Sequence, residues 1–123
     1  MEIEEALEYV TDTAHFETGE VLAKVGPLYK QFFRDRKAFI IADESTYAAA
    51  GEKTAAYLTS EGVELGVPRI FPAEPMLPCE YEISMDLRDE IKAREAVPIA
   101  VGSGTINDLV KVAAFEAGTK YMV

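Results

Sequence analysis

The stretch of the sequence with the clearest chemical potential is a glycine turn that follows a short apolar run. Val97–Val101 reads as a buried strand, and Gly102, Ser103, Gly104 and Thr105 follow it directly. Glycines let a backbone approach a ligand with no Cβ in the way, and the N–H groups of such a turn and of the helix behind it face an anion. The usual occupant of this strand–turn–helix unit is a pyrophosphate, so the turn is a candidate cofactor-binding site.

By motif alone, the turn supports two interpretations. Asn107 stands where the dinucleotide fingerprint G-x-G-x-x-G has its third glycine, and the Gly-Lys-Ser/Thr of a P-loop does not occur. The two glycines therefore also fit a simple strand-to-helix turn. Thr105 with Asp108 forms a Ser/Thr-x-x-Asp pattern, which caps a helix without any ligand. Both interpretations stay open on these residues.

A second polar residue, Asp43, comes directly after the apolar run 38–42. Open parallel sheets bind ligands beyond the carboxyl ends of their strands, where a carboxylate accepts hydrogen bonds from both ribose hydroxyls of an adenosine. An acid at that place disfavours a 2′-phosphate, which favours NAD over NADP. The alternative is that Asp43 is a cap or turn residue before the next helix, for which Ser45 is the predicted N-cap.

Strands and helices must position these residues, and the sequence alternates between the two. Apolar runs predict strands over 38–42, 67–71 and 97–101, with a fourth beginning at 120–123. Helical spacing predicts helices over 19–34, 46–61, 80–93 and 105–117, the first of them kinked at Gly26-Pro27. This alternation predicts an α/β fold, a three-layer Rossmann-like domain with a mainly parallel sheet.

Composition and charge exclude several classes of protein. The 123 residues suit one domain, and 49% hydrophobic with 28% charged residues is too apolar for a disordered chain. No apolar run approaches the length of a membrane span. The net charge of −10 argues against binding to nucleic acid or to an anionic membrane. Residues 1–20 hold seven acids and no lysine or arginine, so we separate an acidic segment, 1–18, from a domain at 19–123.

The numbers of cysteines and histidines exclude internal disulfides and some kinds of metal site. Cys79 is the single cysteine, so no internal disulfide forms, which fits a reducing compartment. The N-terminus lacks the pattern of a signal peptide, and we therefore expect a cytoplasmic location. His15 is the single histidine and is expected at the surface, so this sequence holds no multi-histidine or multi-cysteine metal site.

Two segments together resemble a known family. They are Ile41-Ala-Asp43-Glu-Ser-Thr46-Tyr47-Ala-Ala-Ala-Gly51 and Ile99-Ala-Val-Gly102-Ser-Gly-Thr105-Ile-Asn-Asp108-Leu-Val-Lys111. In order and spacing they resemble the sn-glycerol-1-phosphate dehydrogenases of the iron-containing alcohol dehydrogenase and dehydroquinate synthase-like superfamily. The resemblance covers most of residues 20–123 and only the N-terminal part of a family member. It implies an NAD(P)-dependent oxidoreductase of phospholipid biosynthesis, which interconverts glycerol 1-phosphate and dihydroxyacetone phosphate.

The resemblance also implies roles for single residues. The pyrophosphate of NAD or NADP would be held by Gly102, Ser103, Gly104 and Thr105. Asp43 would contact the adenosine ribose, and Asp108 would lie near the nicotinamide side. In family members an Asp and two His of a helical C-terminal domain hold the catalytic metal, zinc or iron, so no metal-binding or catalytic residue transfers to this sequence. We therefore expect the chain alone to lack dehydrogenase activity.

The apolar end of the chain, Tyr121-Met122-Val123, reads as a strand that has just begun. We therefore expect the domain to be truncated at its C-terminal end and to self-associate through the apolar surface left bare. Two other readings stay open. The chain is the nucleotide-binding part of a glycerol or alcohol dehydrogenase or of a dehydroquinate synthase-like enzyme, or it is a non-catalytic module that uses a sheet edge to bind a partner. Retained cofactor binding separates the dinucleotide-binding readings from the last one.

Overall fold

Three parallel strands form the sheet at the centre of the computed structural model, which describes residues 21–123. β1 (Ala38–Asp43) lies in the middle, between β2 (Arg69–Phe71) and β3 (Val97–Val101). The apolar runs predicted the bounds of each strand to within two residues. Pro68 fits the position of β2 at the edge of this sheet, because proline cannot donate to a ladder of hydrogen bonds.

Helices alternate with the strands, as predicted. A 3₁₀ turn, Leu22–Lys24, leads into α1 (Val25–Phe33). After β1, a helical turn Glu44–Thr46 and a π-helical turn Tyr47–Gly51 run without a break into α2 (Glu52–Ser60). α3 (Tyr81–Arg94) and α4 (Gly104–Ala117) precede and follow β3. None of the helices in residues 21–123 is both long enough and apolar enough to cross a membrane.

The sheet is buried on both faces, which gives the domain three layers. Alternate residues of β1 point to opposite faces. Phe39 and Ile41 belong to a core cluster with apolar residues of α3 and α4, while Ala38 and Ile40 belong to a second cluster with residues of α1 and α2. This two-sided burial explains why β1 reads as a continuous apolar run rather than an alternating one.

The first helix differs from the prediction. Instead of a kink inside one long helix, a 3₁₀ turn gives way to an α-helix that begins at Val25. Pro27 therefore lies in the first turn of α1, where its missing N–H removes no helical hydrogen bond. The acidic segment 1–18 and His15 lie outside the described residues.

The predicted fourth strand is reduced to a single bridge. Met122 pairs in parallel with Ile99 on the open edge of β3. The Met122 N–H donates to the Pro98 carbonyl at 3.1 Å, and the Ala100 N–H donates to the Met122 carbonyl at 2.8 Å. The segment 120–123 therefore runs parallel to β3, as a mainly parallel sheet predicts, but it forms one bridge at Met122 and not a strand.

Candidate functional site

The strand order reverses within the sheet, and this reversal marks a candidate site at the carboxyl ends of the strands. The chain passes from β1 to β2 on one side and then returns past β1 to β3 on the other side. Ligands of open α/β sheets bind where the strand order reverses, beyond the carboxyl ends of the strands. Here that point lies between β1 and β3. Because Ala42 pairs with Val101, Asp43 and Gly102 leave neighbouring strands side by side, about 5 Å apart.

Gly102 is required by the packing of the turn itself. A Cβ placed on this residue would lie 2.9 Å from Cγ1 and 3.0 Å from Cβ of Ile106. Ile106 is 1% exposed in the core between the sheet and α4, so it has no room to give way. The close approach of the turn to the first turn of α4 therefore accounts for Gly102 without a ligand.

Gly104 and Ser103 are different, because no contact or hydrogen bond within residues 21–123 accounts for them. A Cβ on Gly104 would meet no atom within 4 Å, and this glycine does not have a positive φ. Ser103 is the N-cap residue of α4, yet its hydroxyl makes no capping hydrogen bond. The first N–H groups of α4 thus have no cap from Ser103, and the position that a Cβ of Gly104 would take is open. An anion fits this arrangement, since it would accept from those N–H groups and lie at the positive end of the helix dipole.

The alternative capping pattern at this helix is wrong. Thr105 is the second residue of α4 rather than its N-cap, so Thr105 and Asp108 do not form the predicted box. Asp108 is exposed one helical turn beyond Gly104, on the same side of the helix. The structure therefore places the predicted residues of the glycine turn together, and Asp108 about 6 Å further along the helix axis.

Asp43 does cap a helix, and this corrects the prediction that Ser45 is the N-cap. The Thr46 N–H donates to Oδ1 of Asp43 at 2.8 Å, and the Asp43 N–H donates to Oγ1 of Thr46 at 3.0 Å. This reciprocal box fixes the carboxyl group at the end of β1. Within residues 21–123, the carboxyl group of Asp43 accepts a hydrogen bond at Oδ1 and none at Oδ2. Oδ2 can therefore accept from a ligand. Capping and ligand binding are therefore compatible at Asp43.

Two features beside this edge were missed from the sequence. One is the π-helical turn Tyr47–Gly51, in which the Tyr47 ring packs directly over Gly51. Such turns occur often near functional sites. The other is Asn107, whose buried side-chain Oδ1 has no hydrogen-bond partner in the part of the chain that the structure describes. Its place at the third glycine of the fingerprint was noted, but a missing partner cannot be read from residue order.

A metal centre is not formed by these residues. In the described part of the chain, no three His, Cys, Asp or Glu side chains lie close enough together to hold a metal ion. The carboxyl edge instead offers uncapped N–H groups and a single fixed carboxylate. That set of groups suits a phosphate-containing ligand with hydroxyls and does not suit a divalent cation.

Comparison with known proteins agrees with this arrangement. A protein-family model described as iron-containing alcohol dehydrogenase matches residues 16–123. No match was found among curated proteins. A similar solved structure is ValA, the 2-epi-5-epi-valiolone synthase of Streptomyces hygroscopicus subsp. jinggangensis 5008, with NAD⁺ and Zn²⁺ bound. The two chains are 22% identical with a TM-score of 0.60, and the match covers 91% of this chain and 34% of ValA.

The likeness to ValA shows the fold of this chain, and the family model shows its family. At 22% identity the likeness to ValA shows a shared fold, and this chain spans about a third of that protein's length. The family model is more specific, because it matches nearly the whole chain, including both β1 and the glycine turn. The chain therefore belongs to the iron-containing alcohol dehydrogenase family.

Proposed function

We propose that residues 19–123 form a dinucleotide-binding domain that holds NAD at the carboxyl edge of the sheet. One observation carries this proposal: α4 begins with uncapped N–H groups and open space over Gly104, at the point where the strand order reverses. Gly102, Ser103, Gly104 and Thr105 then bind the pyrophosphate with backbone N–H groups and hydroxyls. The net charge of −10 does not prevent this, because fixed backbone dipoles act at short range.

In the same proposal, two acids bind the ends of the cofactor. Asp43 accepts hydrogen bonds from the adenosine ribose with the oxygen that its helix cap leaves unused. A 2′-phosphate at that place would meet the negative carboxylate, so we expect NAD to bind more tightly than NADP. Asp108, further along α4, lies on the nicotinamide side.

The whole enzyme that we propose is an NAD-dependent, sn-glycerol-1-phosphate dehydrogenase-like oxidoreductase. The support is the family and the two segments around Asp43 and Gly104 that resemble those dehydrogenases. When bound, NAD supplies the hydride acceptor for oxidation of an alcohol. Within residues 21–123, no group of three or more His, Cys, Asp or Glu side chains could hold the zinc or iron that would polarise the alcohol oxygen. The single cysteine supports a cytoplasmic location.

A second candidate function is that of the nucleotide-binding part of a dehydroquinate synthase-like enzyme. The fold shared with ValA, itself a synthase, favours this candidate. A synthase and a dehydrogenase of one superfamily share the nucleotide-binding step, and they differ in the groups that surround the substrate. The same reasoning covers a glycerol or alcohol dehydrogenase. A non-catalytic module remains as the reading of another class, and it predicts that no dinucleotide binds. Cofactor binding is therefore the property to test first.

The test is a calorimetric titration of the chain with NADH and then with NADPH, repeated on Gly104→Asp. The open space over Gly104 means that the new carboxylate fits without disturbing the core. It would nevertheless repel the pyrophosphate from the start of α4. We expect the unchanged chain to bind NADH, to bind NADPH more weakly, and to lose both on substitution.

Thr59→Asp serves as the matched control, because Thr59 is also exposed and lies near the far end of α2. This variant changes the net charge equally and is expected to bind NADH normally. If a folded, unchanged chain fails to bind NADH, the dinucleotide-binding proposal is wrong and the non-catalytic module becomes the better account. We also expect no oxidation of glycerol 1-phosphate by the chain alone, measured as NADH formation.

Self-association is proposed from the outer face of α4. Phe115 is 82% exposed and Val112 is 37% exposed, one turn apart on the same side of this helix. Neighbouring exposed apolar side chains mark surfaces that bury themselves in contacts. Sedimentation of the chain over a range of concentrations tests this, and Phe115→Ser should shift the distribution towards monomer.

A further inference from the structure

A cluster of basic side chains lies at the amino ends of the strands, at the opposite edge of the sheet from the candidate cofactor site. Two open depressions, about 610 and 570 Å³ in volume, adjoin each other there, because Arg36 and Lys120 line both of them. Arg34 lines the first depression and Lys92 lines the second. We call Arg34, Arg36, Lys92 and Lys120 the basic cluster. They follow α1, belong to the last turn of α3 and follow α4, so the fold brings them together.

The basic cluster has no ionic partner among the residues that the structure describes. The salt bridges in this part of the chain use other bases, namely Lys30, Arg69, Arg88 and Arg94. Asp35 lines the first depression, but its carboxylate is already paired with Lys30 at 3.1 Å. The second depression contains one acid, Glu95, beside three bases of the cluster. Glu95 is therefore the one unpaired acid among the described residues that line the two depressions.

Helix ends account for part of the cluster without any ligand. α1, α3 and α4 all end at this edge, and basic side chains near the C-terminus of a helix interact favourably with its dipole. Each helix end carries roughly −0.5 of a charge, so three ends and Glu95 balance roughly two and a half of the four positive charges. Positive charge therefore remains at this edge, although residues 21–123 contain more acids than bases.

The backbone beside these bases is strained. Arg34 and Glu95 are the two non-glycine residues of 21–123 that have a positive φ, and both line the depressions. Arg34 has φ 55° and ψ −121°, the angles of the first central residue of a type II′ turn, where glycine is favoured. The Arg36 N–H closes this turn by donating to the Phe33 carbonyl at 3.1 Å. Arginine thus occupies a position that glycine would fill without strain, and such residues cluster at functional sites.

We propose that the basic cluster binds a small anion with two or more linked phosphate groups. A guanidinium group forms two parallel hydrogen bonds with a phosphate, and an ammonium group adds a point charge. Because the four cations are spread over two adjoining depressions, linked phosphates can contact more of them than a single phosphate can. The glycine turn lies at the other edge of the sheet, so the two sites are separate. The proposal therefore stands even if no dinucleotide binds at Gly104.

The experiment measures the acetylation of single lysines of the full chain by mass spectrometry, with inorganic tripolyphosphate as the probe. Lys92 and Lys120 belong to the basic cluster, whereas Lys53 and Lys111 are exposed lysines elsewhere on the surface. A bound anion covers the amines that it contacts. At a probe concentration of about ten times its Kd, we expect roughly tenfold slower acetylation of Lys92 and Lys120 and no change at the other two. Sodium chloride at equal ionic strength should not reproduce this protection, because it only screens charge.

Two charge-reversed variants, studied by calorimetric titration with tripolyphosphate, test which cations bind the probe. Arg34→Glu/Arg36→Glu should weaken binding roughly tenfold or more, because two charged hydrogen-bond donors are lost from the site. Lys53→Glu/Lys111→Glu changes the net charge equally and should leave the affinity unaltered. Equal weakening in both variants would mean that the probe responds to net charge alone, and this would overturn the proposal.

Gly104→Asp separates the basic cluster from the glycine turn. This variant places a carboxylate at the candidate pyrophosphate site and should keep the full protection of Lys92 and Lys120. Loss of that protection in Gly104→Asp would show that the anion lies at the glycine turn, and the proposal would be wrong. Equal protection of all four lysines in the unchanged chain would overturn it as well.

A pair of glycine variants tests whether the side chain of Arg34 is kept for its charge. Arg34→Gly and Glu95→Gly both relieve a positive φ, so both should raise the midpoint of urea denaturation. Their affinities for tripolyphosphate should change in opposite directions, because one variant removes a positive charge from the depressions and the other removes a negative charge. Equal affinities would mean that these charges do not act on the anion, which contradicts the proposal.

Discussion

At the scale of single residues, two glycines of one turn have opposite reasons to be glycine. Gly102 lies against buried Ile106, whereas Gly104 faces open space at the first position of α4. Gly102→Ala should therefore cost about 1–3 kcal/mol of the free energy of unfolding, because overpacking forces the core to shift. Gly104→Ala should be neutral or stabilising by up to about 1 kcal/mol, because alanine favours a helix. Urea denaturation of both variants measures the difference.

The same pair separates folding from function. If Gly104 is glycine because a ligand lies against it, Gly104→Ala keeps its stability and loses affinity for NADH, whereas Gly102→Ala loses stability. Equal loss of stability in both variants would mean that Gly104 has a packing role that the open space around it does not show.

Tyr29 makes the stability of the domain sensitive to alkaline pH. It is fully buried, its hydroxyl donates to the Arg36 carbonyl at 2.7 Å, and burial raises its pKa from 10.0 to about 12, an effect that the nearby Arg36 charge partly offsets. Because the folded pKa lies above the unfolded one, the contribution is complete below pH 10 and is lost as the pH rises to 12. That loss amounts to roughly 2–3 kcal/mol.

Thermal unfolding between pH 8 and 12 checks this expectation. Tyr29→Phe loses the hydrogen bond and about 1 kcal/mol at neutral pH, and it should decline less steeply than the unchanged chain above pH 10. Parallel curves for the two proteins would assign the alkaline loss to other groups.

At the scale of elements, two helices end in the same way with different residues. α3 ends at Glu95 (φ 51°, ψ 42°) and α4 ends at Gly118 (φ 73°, ψ 28°), both in the left-handed conformation with N–H groups bonded back to the helix. Glycine adopts this conformation without strain. Gly118→Ala should lose about 1 kcal/mol, and Glu95→Gly should gain about 0.5–1 kcal/mol.

No neighbouring atom complicates this pair of variants, because a Cβ on Gly118 meets nothing within 4 Å and Glu95 is exposed. Chemical denaturation at neutral pH gives both values. A loss of stability in Glu95→Gly would show that the Glu95 side chain contributes more than its backbone costs.

The elements that the sequence predicted best are those with a strong local signal. β1 and β3 are continuous apolar runs, and α4 spans Gly104–Ala117 against a predicted 105–117, because both features follow from residue type alone. The π-helical turn Tyr47–Gly51 was missed, since its extra residue depends on packing of Tyr47 over Gly51. The cap at Asp43 was assigned to Ser45 because both residue types favour that position, and only the geometry selects Asp43.

The candidate site was predictable for a similar reason. The order of strands and helices puts Asp43 and the glycine turn at the same edge, so their juxtaposition follows once the sheet is known to be parallel. Residue order could not show that Ser103 leaves its helix uncapped, nor that the two glycines of the turn differ. Those facts depend on side-chain directions and on contacts of a few ångströms.

At the scale of the whole molecule, residues 21–123 supply a core cluster to each face of the sheet. We expect these two clusters to be enough for the domain to fold without residues 1–18. Removal of residues 1–18 should therefore leave cooperative unfolding and NADH affinity intact. Any cost should stay near 1 kcal/mol or less at low salt if the acidic segment contributes only exposed charge pairs.

Salt distinguishes charge pairs from apolar contacts as the cause of any stability that the shortened chain loses. The difference in stability from the full chain should vanish at 1 M salt, where the Debye length falls to about 3 Å, if only charge pairs are lost. A difference that persists at high salt would mean that apolar residues of the segment, such as Ile3 or Leu7, contact the domain. Loss of the cooperative transition itself would place the domain boundary before residue 19, and the acidic segment would then belong to the folding unit.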